Sequence, residues 1–249
     1  MATAGELAMD REEEHEQQLV REFFDGVSGF FVEVGANHPR SGSQSWHLEQ
    51  RGWSGILVEP LPELAEKLRQ MRSAKVFCAA CSSPTNAGQR RPFYVADKLS
   101  SLDRDRMAPG SRPQAVIEVP VRTLDDILVE AGAPSSIDFL SVDVEGHEIE
   151  VLRGFDFRRW RPRLILLEDH VADLSRHRFV KSAGYRLVRR TGFNGWYIPA
   201  SSMVHFGWHD RWRVLRKYHL GLPLRVLRNM SRRLRQPIKN WMQARRRRT

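Results

Sequence analysis

Three apolar runs in this chain end on residues that could do chemistry. In "IDFLSVDVEGHEIEVLRGF", residues 137–155, the run stops at Asp143 and is followed by Glu145, His147, Glu148 and Glu150. "RLILLEDH" stops at Glu168, Asp169 and His170, and "GILVEP" at Glu59 and Pro60. An imidazole titrates near neutral pH, so His147 and His170 have the chemistry of general bases, while Asp143 or Glu145 could serve as base or orient one of them. Asp143, Glu145, Glu168 and His170 are also an oxygen-rich set that could hold a divalent cation and lower the pKa of an acceptor hydroxyl. Glu148 and Glu150 fall in the first turns of the following helix, where acids complement the helix dipole, and they read as solvated.

These ends must be brought together by the elements that precede them. "GFFVEVGAN" (29–37) and "GILVEP" (55–60) read as buried strands, and "AKVFCAACS" (74–82) as a third. "PELAEKLRQM" (62–71) places Leu64, Leu68 and Met71 on one helical face behind Pro62. "RPFYVAD" and "QAVIEVPVRT" read as strands around a polar loop, and "TLDDILVEAG" as a helix capped by Thr123 and Gly132. The strand "IDFLSVD", the helix "HEIEVLRGF", the strand "RLILLED", a helix over "ADLSRHRFVKSAG" and a closing hairpin turning near Gly192 complete the series. This alternation predicts a three-layer α/β sandwich, with a mostly parallel sheet and an antiparallel edge. Trp53, Phe155 and Phe157 read as core packing, as do Cys78 and Cys81, which lack the helix N-terminus of a redox pair.

In such a sheet, ligands bind beyond the carboxyl ends of the strands. Gly35-Ala36-Asn37 would let the backbone approach a ligand, and Glu59 could accept the hydroxyl protons of a ribose. Together they suggest an adenosine-bearing cofactor. No full G-x-G-x-x-G follows the first strand, which argues against a pyrophosphate there and puts S-adenosylmethionine ahead of NAD or ATP.

"FVEVGANHPRSGSQSWHLEQRGWSGILVEPLPE", "VPVRTLDDIL" and "IDFLSVDVEGHEIEVLRGFDF" resemble, in order and spacing, the FkbM family of S-adenosylmethionine-dependent methyltransferases over roughly residues 29–198. The resemblance implies a class I methyltransferase (Rossmann-like) fold of seven strands and a methyl transfer, usually to a hydroxyl of a sugar, glycolipid or secondary metabolite. By position it puts Gly35 and Asn37 beside the methionine part, Glu59 on the ribose, Ala80 and Ser82 around the adenine, and Asp143 and Glu145 toward the substrate. Glu33, Ala36, Pro60 and Asp143 join the implied cofactor-binding set, and Asp143, Glu145, His147 and His170 make the candidate catalytic set, with no residue assigned as a metal ligand. Glu33 stands where the family commonly has Asp, and His38-Pro39 where it often has Asp-Gly. Ser43 or Ser45 should help cap the helix after that loop.

Composition bounds the remaining choices. With 249 residues, 41% hydrophobic and 28% charged, the chain can bury one sizeable core. No run approaches the roughly 18–20 apolar residues of a membrane span, and the acidic N-terminus lacks the pattern of a secretory signal, so the expected location is cytoplasmic. Residues 205–249 carry 14 Lys and Arg against Asp210 alone, which accounts for more than the whole-chain net charge of +10. The expected organisation is an N-terminal helical segment over 1–28, a methyltransferase domain over 29–204 and a basic amphipathic tail over 205–249. Leu224, Leu227, Met230, Leu234, Ile238 and Trp241 give that tail an apolar stripe among arginines. Such a tail could bind the inner face of an anionic membrane, making the protein peripheral there, or nucleic acid, or could pack back on the core. The expected function is O-methylation of a small molecule or glycan. An RNA-modifying methyltransferase anchored by the tail and a cofactor-binding module without catalysis are the alternatives.

Overall fold

The computed structural model describes residues 4–96, 100–102, 113–169 and 174–221. His170 and the apolar stripe beyond Pro223 lie outside the described residues. In chain order the elements begin with α1 (Ala4–Phe24), β1 (Phe30–Val34), α2 (Trp46–Glu49), β2 (Ser54–Val58), α3 (Pro62–Met71), β3 (Lys75–Phe77), β4 (Ala80–Cys81) and β5 (Arg90–Val95). They continue with β6 (Ala115–Arg122), α4 (Leu124–Ala131), β7 (Phe139–Val142), α5 (Glu148–Arg153), α6 (Phe157–Trp160) and β8 (Leu164–Glu168). The last are α7 (Ser175–Ser182), β9 (Tyr185–Thr191), β10 (Asn194–Pro199) and α8 (Trp208–Val214), which runs into a π-helical segment over Leu215–Leu220.

Seven strands form one sheet in the order β3-β2-β1-β7-β8-β10-β9. The first five are parallel, and β10 runs against both β8 and β9, so the closing hairpin forms the antiparallel edge of the class I methyltransferase arrangement. Strand order reverses between β1 and β7, and there a crevice opens for a ligand. The two-residue period of the strands sends side chains alternately into two cores. Val32 and Val34 of β1 pack with Leu124, Ile127, Val151 and Val180, from α4, α5 and α7. Phe31 packs on the other face with Val20 and Phe24 of α1, Leu48 of α2 and Leu68 of α3. Trp53 and Phe155 are buried as expected, and half-buried Phe157 packs edge-on against Phe155.

The apolar run over 74–82 is not one strand. It divides into β3, which stays on the main sheet, and β4, which pairs with β6 in a second sheet of order β4-β6-β5. Pairing of β3 with β2 ends at Phe77, where its carbonyl accepts from the Glu59 amide, and the chain turns out of the sheet at Cys78. Both cysteines are free, and burial raises their thiol pKa values, that of Cys81 to about 12. That fits packing residues and not a redox pair. Around α4, the Asp126 amide donates to Thr123 Oγ1 at 3.0 Å, and Gly132 takes the left-handed conformation at the C-cap.

Both ends of the described chain pack onto this frame. Glu16 of α1 is buried and accepts from Asn194 Nδ2 at 2.7 Å, Gln44 Nε2 at 3.0 Å, Trp196 Nε1 at 3.3 Å and the Thr191 hydroxyl. At the other end, Arg189 of β9 makes a two-pronged pair with Asp210 of α8, at 2.9 Å for each bond. No helix among the described residues is long and apolar enough to cross a membrane.

His47 in α2 generates a test of this packing. Burial, then the charge of Arg21, pushes its pKa down to about 3, so the folded chain keeps the ring neutral while the unfolded chain protonates near 6.5. The unfolded state therefore binds more protons between those values. Stability from this residue is complete above pH 6.5 and falls with decreasing pH, by about 1.4 kcal/mol per unit. In urea unfolding, His47→Leu should lose less stability than the wild type between pH 6.5 and pH 5, and parallel losses would show the ring to be solvated.

Candidate functional site

The carboxyl ends of β1, β2, β4, β7 and β8 surround a cavity of about 770 Å³. Its entrance to the sheet is made by Gly35, whose amide and that of Ala36 donate to the Val58 carbonyl at 2.9 and 3.1 Å. Gly35 has a φ of +84°, and a Cβ there would fall 1.8 Å from the Asp143 carbonyl oxygen. Only glycine lets the β1 and β7 exits come this close. Asn37 follows in a left-handed conformation and donates its amide to Glu59 Oε2 at 2.8 Å, while Glu59 Oε1 accepts from Leu61 N at 2.9 Å. Glu59 thus ties the β1 and β2 exits together. Each of its oxygens keeps a further lone pair. Burial raises its pKa and the two backbone bonds pull it back.

Gly35, Asn37, Glu59, Pro60, Ala80, Asp143, Glu145 and His147 all line the cavity. Glu33, Ala36 and Ser82, expected in the same set, do not. Glu33 shares the Phe31 face of β1, and its buried carboxylate accepts from Gln44 N at 2.7 Å, Ser43 Oγ at 3.0 Å and the Ser45 hydroxyl. Burial raises its pKa against the Ser45 bond and the charge of Arg72. Arg72 donates to Ser43 Oγ, Ser45 Oγ and the Pro39 carbonyl, so this cluster anchors the loop over 38–45 from beneath. Ser43 Oγ accepts from Trp46 N at 3.1 Å and caps α2, whereas Ser45 does not. His38 closes the loop, its Nδ1 accepting from the Arg40 and Ser41 amides. Ala36 is a core residue, and Ser82 reaches the site through His147, with 2.9 Å between its Oγ and Nε2. Ser82 also accepts from Asn86 Nδ2 at 2.9 Å.

On the opposite wall, carboxylate oxygens of Asp143, Glu145 and Glu168 lie within 4.8 Å of one another. Asp143 is exposed, its side chain open to the cavity, with the other carboxylates crowded beside it. Desolvation, followed by the charges of Glu168, Glu145 and Glu148, raises its pKa well above the usual carboxylate range. Glu145 is held in a left-handed conformation and Gly146 follows with φ +96°, so the chain turns sharply after β7. Ser101 Oγ donates to the Glu145 carbonyl at 3.1 Å, which brings the second sheet to the same wall.

Glu148 corrects the sequence reading. It is fully buried, accepts from Gly146 N at 2.6 Å and pairs with Arg176 of α7, at 2.7 Å to Nε and 2.6 Å to Nη2. Periodicity placed Glu148 on a helix but could not show that α7 covers it, because the countercharge comes from a separate helix. Glu150 is paired at the surface with Arg153, 2.5 Å away, as an exposed helical acid should be. Arg176 and Arg72 are the residues of the site that spacing alone did not single out.

The arrangement offers one wall of hydrogen-bond acceptors at Glu59 and another of crowded carboxyls around Asp143. Residues 33–187 match the family model described as the methyltransferase FkbM domain. No curated protein matches the chain. Among solved structures, the chain is similar to the methyltransferase FkbM of Methylobacillus flagellatus KT, with 17% identity and a TM-score of 0.46 over 69% of this chain. It spans 43% of the length of that protein. The precorrin-6y C5,15-methyltransferase of Geobacter metallireducens GS-15 is similar at 14% identity and a TM-score of 0.38, over 73% of this chain and 86% of that one.

Removing the countercharge of Glu148 tests how the acidic wall is held. Arg176→Met should cost about 3–5 kcal/mol in urea unfolding at neutral pH, because it strands a buried carboxylate. Adding Glu148→Gln should recover much of that loss. Additive losses would mean that the two side chains act separately.

Proposed function

The chain belongs to the FkbM methyltransferase family, and from that premise we propose that it transfers the methyl group of S-adenosylmethionine to a hydroxyl of a sugar, glycolipid or secondary metabolite. The observation that carries this reading is the cavity with Glu59 on one wall and Asp143, Glu145 and Glu168 on the other. Its volume falls in the range of roughly 300–1,000 Å³ common for small-molecule sites. The donor set suits the cofactor. Glu59 has lone pairs for ribose hydroxyls, Gly35 and Asn37 present backbone at close range, and Pro60, Leu61 and Ala80 add apolar wall for a flat base. When bound, S-adenosylmethionine supplies a methyl group already activated by its sulfonium.

What remains for the protein is to align the acceptor and take its proton. A carboxyl whose pKa is raised by burial and by like-charged neighbours accepts a proton more readily than an ordinary surface acid. In this reading Asp143 and Glu145 take that proton, and the like charge of Glu168 beside them favours its uptake. The Nε2 of His147 lies 2.9 Å from Ser82 Oγ, which holds the imidazole at the edge of the cavity beside these carboxylates. A second reading rests on the convergence of the three carboxylates, which would also take a hard divalent cation.

Calorimetry with S-adenosylmethionine tests the cofactor wall. Glu59→Gln keeps an acceptor for the Leu61 or Asn37 amide and should still weaken affinity at least tenfold, and unchanged affinity would reject the ribose role. Mass analysis of methyl-labelled products from glycan and metabolite extracts tests the other wall. Asp143→Asn should bind the cofactor as the wild type does but lose about 10²–10⁴-fold in turnover, the range expected of a general base. Turnover abolished by EDTA and restored by Mg²⁺ would assign the carboxylates to a cation, and label entering only RNA would redirect the acceptor.

A further inference from the structure

The outer face of α8 has no role in the cavity. Its orientation is fixed from two sides. Arg189 holds both oxygens of Asp210 at 2.9 Å, and Tyr218, 1% exposed, donates to Asp169 Oδ2 at 2.7 Å while accepting from Arg190 Nη1 at 3.2 Å. At about 100° per residue, Trp208, Trp212 and Leu215 lie on the side of the helix opposite Asp210. They are 68%, 49% and 42% exposed. Exposed Met203 and Leu220 flank them in the chain. Arg211, Arg213 and Arg216 stand exposed on the same segment, and its acid, Asp210, is turned inward against Arg189. Between α8 and β9 lies a groove of about 630 Å³, with Arg186, His205 and Arg211 beside Val204, Phe206 and Leu215.

We infer that α8 is a docking face for an anionic phospholipid surface, with Trp208, Trp212 and Leu215 entering the interface and Arg186, Arg211 and Arg216 meeting the headgroup phosphates. Tryptophan and leucine in a row, bordered by arginines, match the layered chemistry of such an interface, where an apolar zone lies just below a belt of anions. Leu215 and Met203 argue against nucleic acid. That partner rewards cations and flat aromatic platforms, and gains nothing from an extended aliphatic row. This inference stands independently of which hydroxyl is methylated.

The test uses the full chain and two kinds of vesicle, phosphatidylglycerol mixed with phosphatidylcholine, and phosphatidylcholine alone. The protein should float with the anionic vesicles, release at high salt, and stay in solution with the neutral ones. The double variant Trp208→Ser, Trp212→Ser should keep the wild-type circular dichroism and melting temperature and lose at least tenfold in partitioning. Brominated phosphatidylglycerol should quench tryptophan emission in the wild type and not in the double variant, which reads the same contact without relying on affinity. Flotation of the double variant equal to that of the wild type would overturn the inference, as would no flotation of the wild type. RNA binding that the variant weakens tenfold, with vesicle binding unchanged, would assign the face to nucleic acid instead.

Discussion

Asp143, Glu145, Glu148 and Glu168 crowd one end of the sheet, and their mutual repulsion is the constraint around which the surrounding elements are arranged. At an effective dielectric of about 20, two charges roughly 5 Å apart repel by about 3 kcal/mol, so four carboxylates cannot all stay ionised without help. Arg176 answers one of them with a buried two-bond contact, and the Gly146 amide adds a donor to the same carboxylate. The charges that act most strongly on Asp143, those of Glu168, Glu145 and Glu148, are all like its own, and its proton affinity rises instead. The repulsion that burdens the fold is thus turned into basicity at the carboxyl that faces the cavity.

The facing wall is built by a different device. Backbone amides and a glycine, not opposed charges, bring the β1 and β2 exits to Glu59. Behind that wall, Glu33 with Ser43, Ser45 and Arg72 holds the loop over 38–45, and Glu16 of α1 holds Gln44 from the far side. The N-terminal helix therefore supports the loop bordering the cavity, although among the described side chains none of α1 lines it. Its buried carboxylate is shared among Gln44 and three side chains of the β9–β10 hairpin, so the hairpin and the loop have one common anchor.

Much of this was legible in the chain because it depends on local pattern. Apolar runs closed by an acid located β2, β7 and β8, a run closed by Gly35 located β1, and Thr123 with Gly132 bounded α4, since caps and periodicity act within one element. What escaped depends on partners distant in sequence. The run over 74–82 is continuous in hydropathy, and only the pairing of Ala80 with Val121 shows that its second half has left the main sheet. Glu148 looked like any acid in a first helical turn, and its burial is set by Arg176 on another helix. Ser82 and Glu33 lay near the right strand ends, but Glu33 shares the Phe31 face of β1 and Ser82 lies just past β4, and their side chains go into hydrogen bonds that hold the loop and His147.

Tyr218 sets a lower limit on how the chain can be cut. The FkbM match ends at Leu187, yet the carboxylate of Asp169, next to Glu168 on the acidic wall, is bonded by a tyrosine well beyond that point. A fragment trimmed to the matched region would lose β10, which joins β8 to the edge strand β9, and would strip Asp169 of both Arg190 and the Tyr218 phenol. The smallest piece that keeps the cleft intact is therefore longer than the region by which the family is recognised.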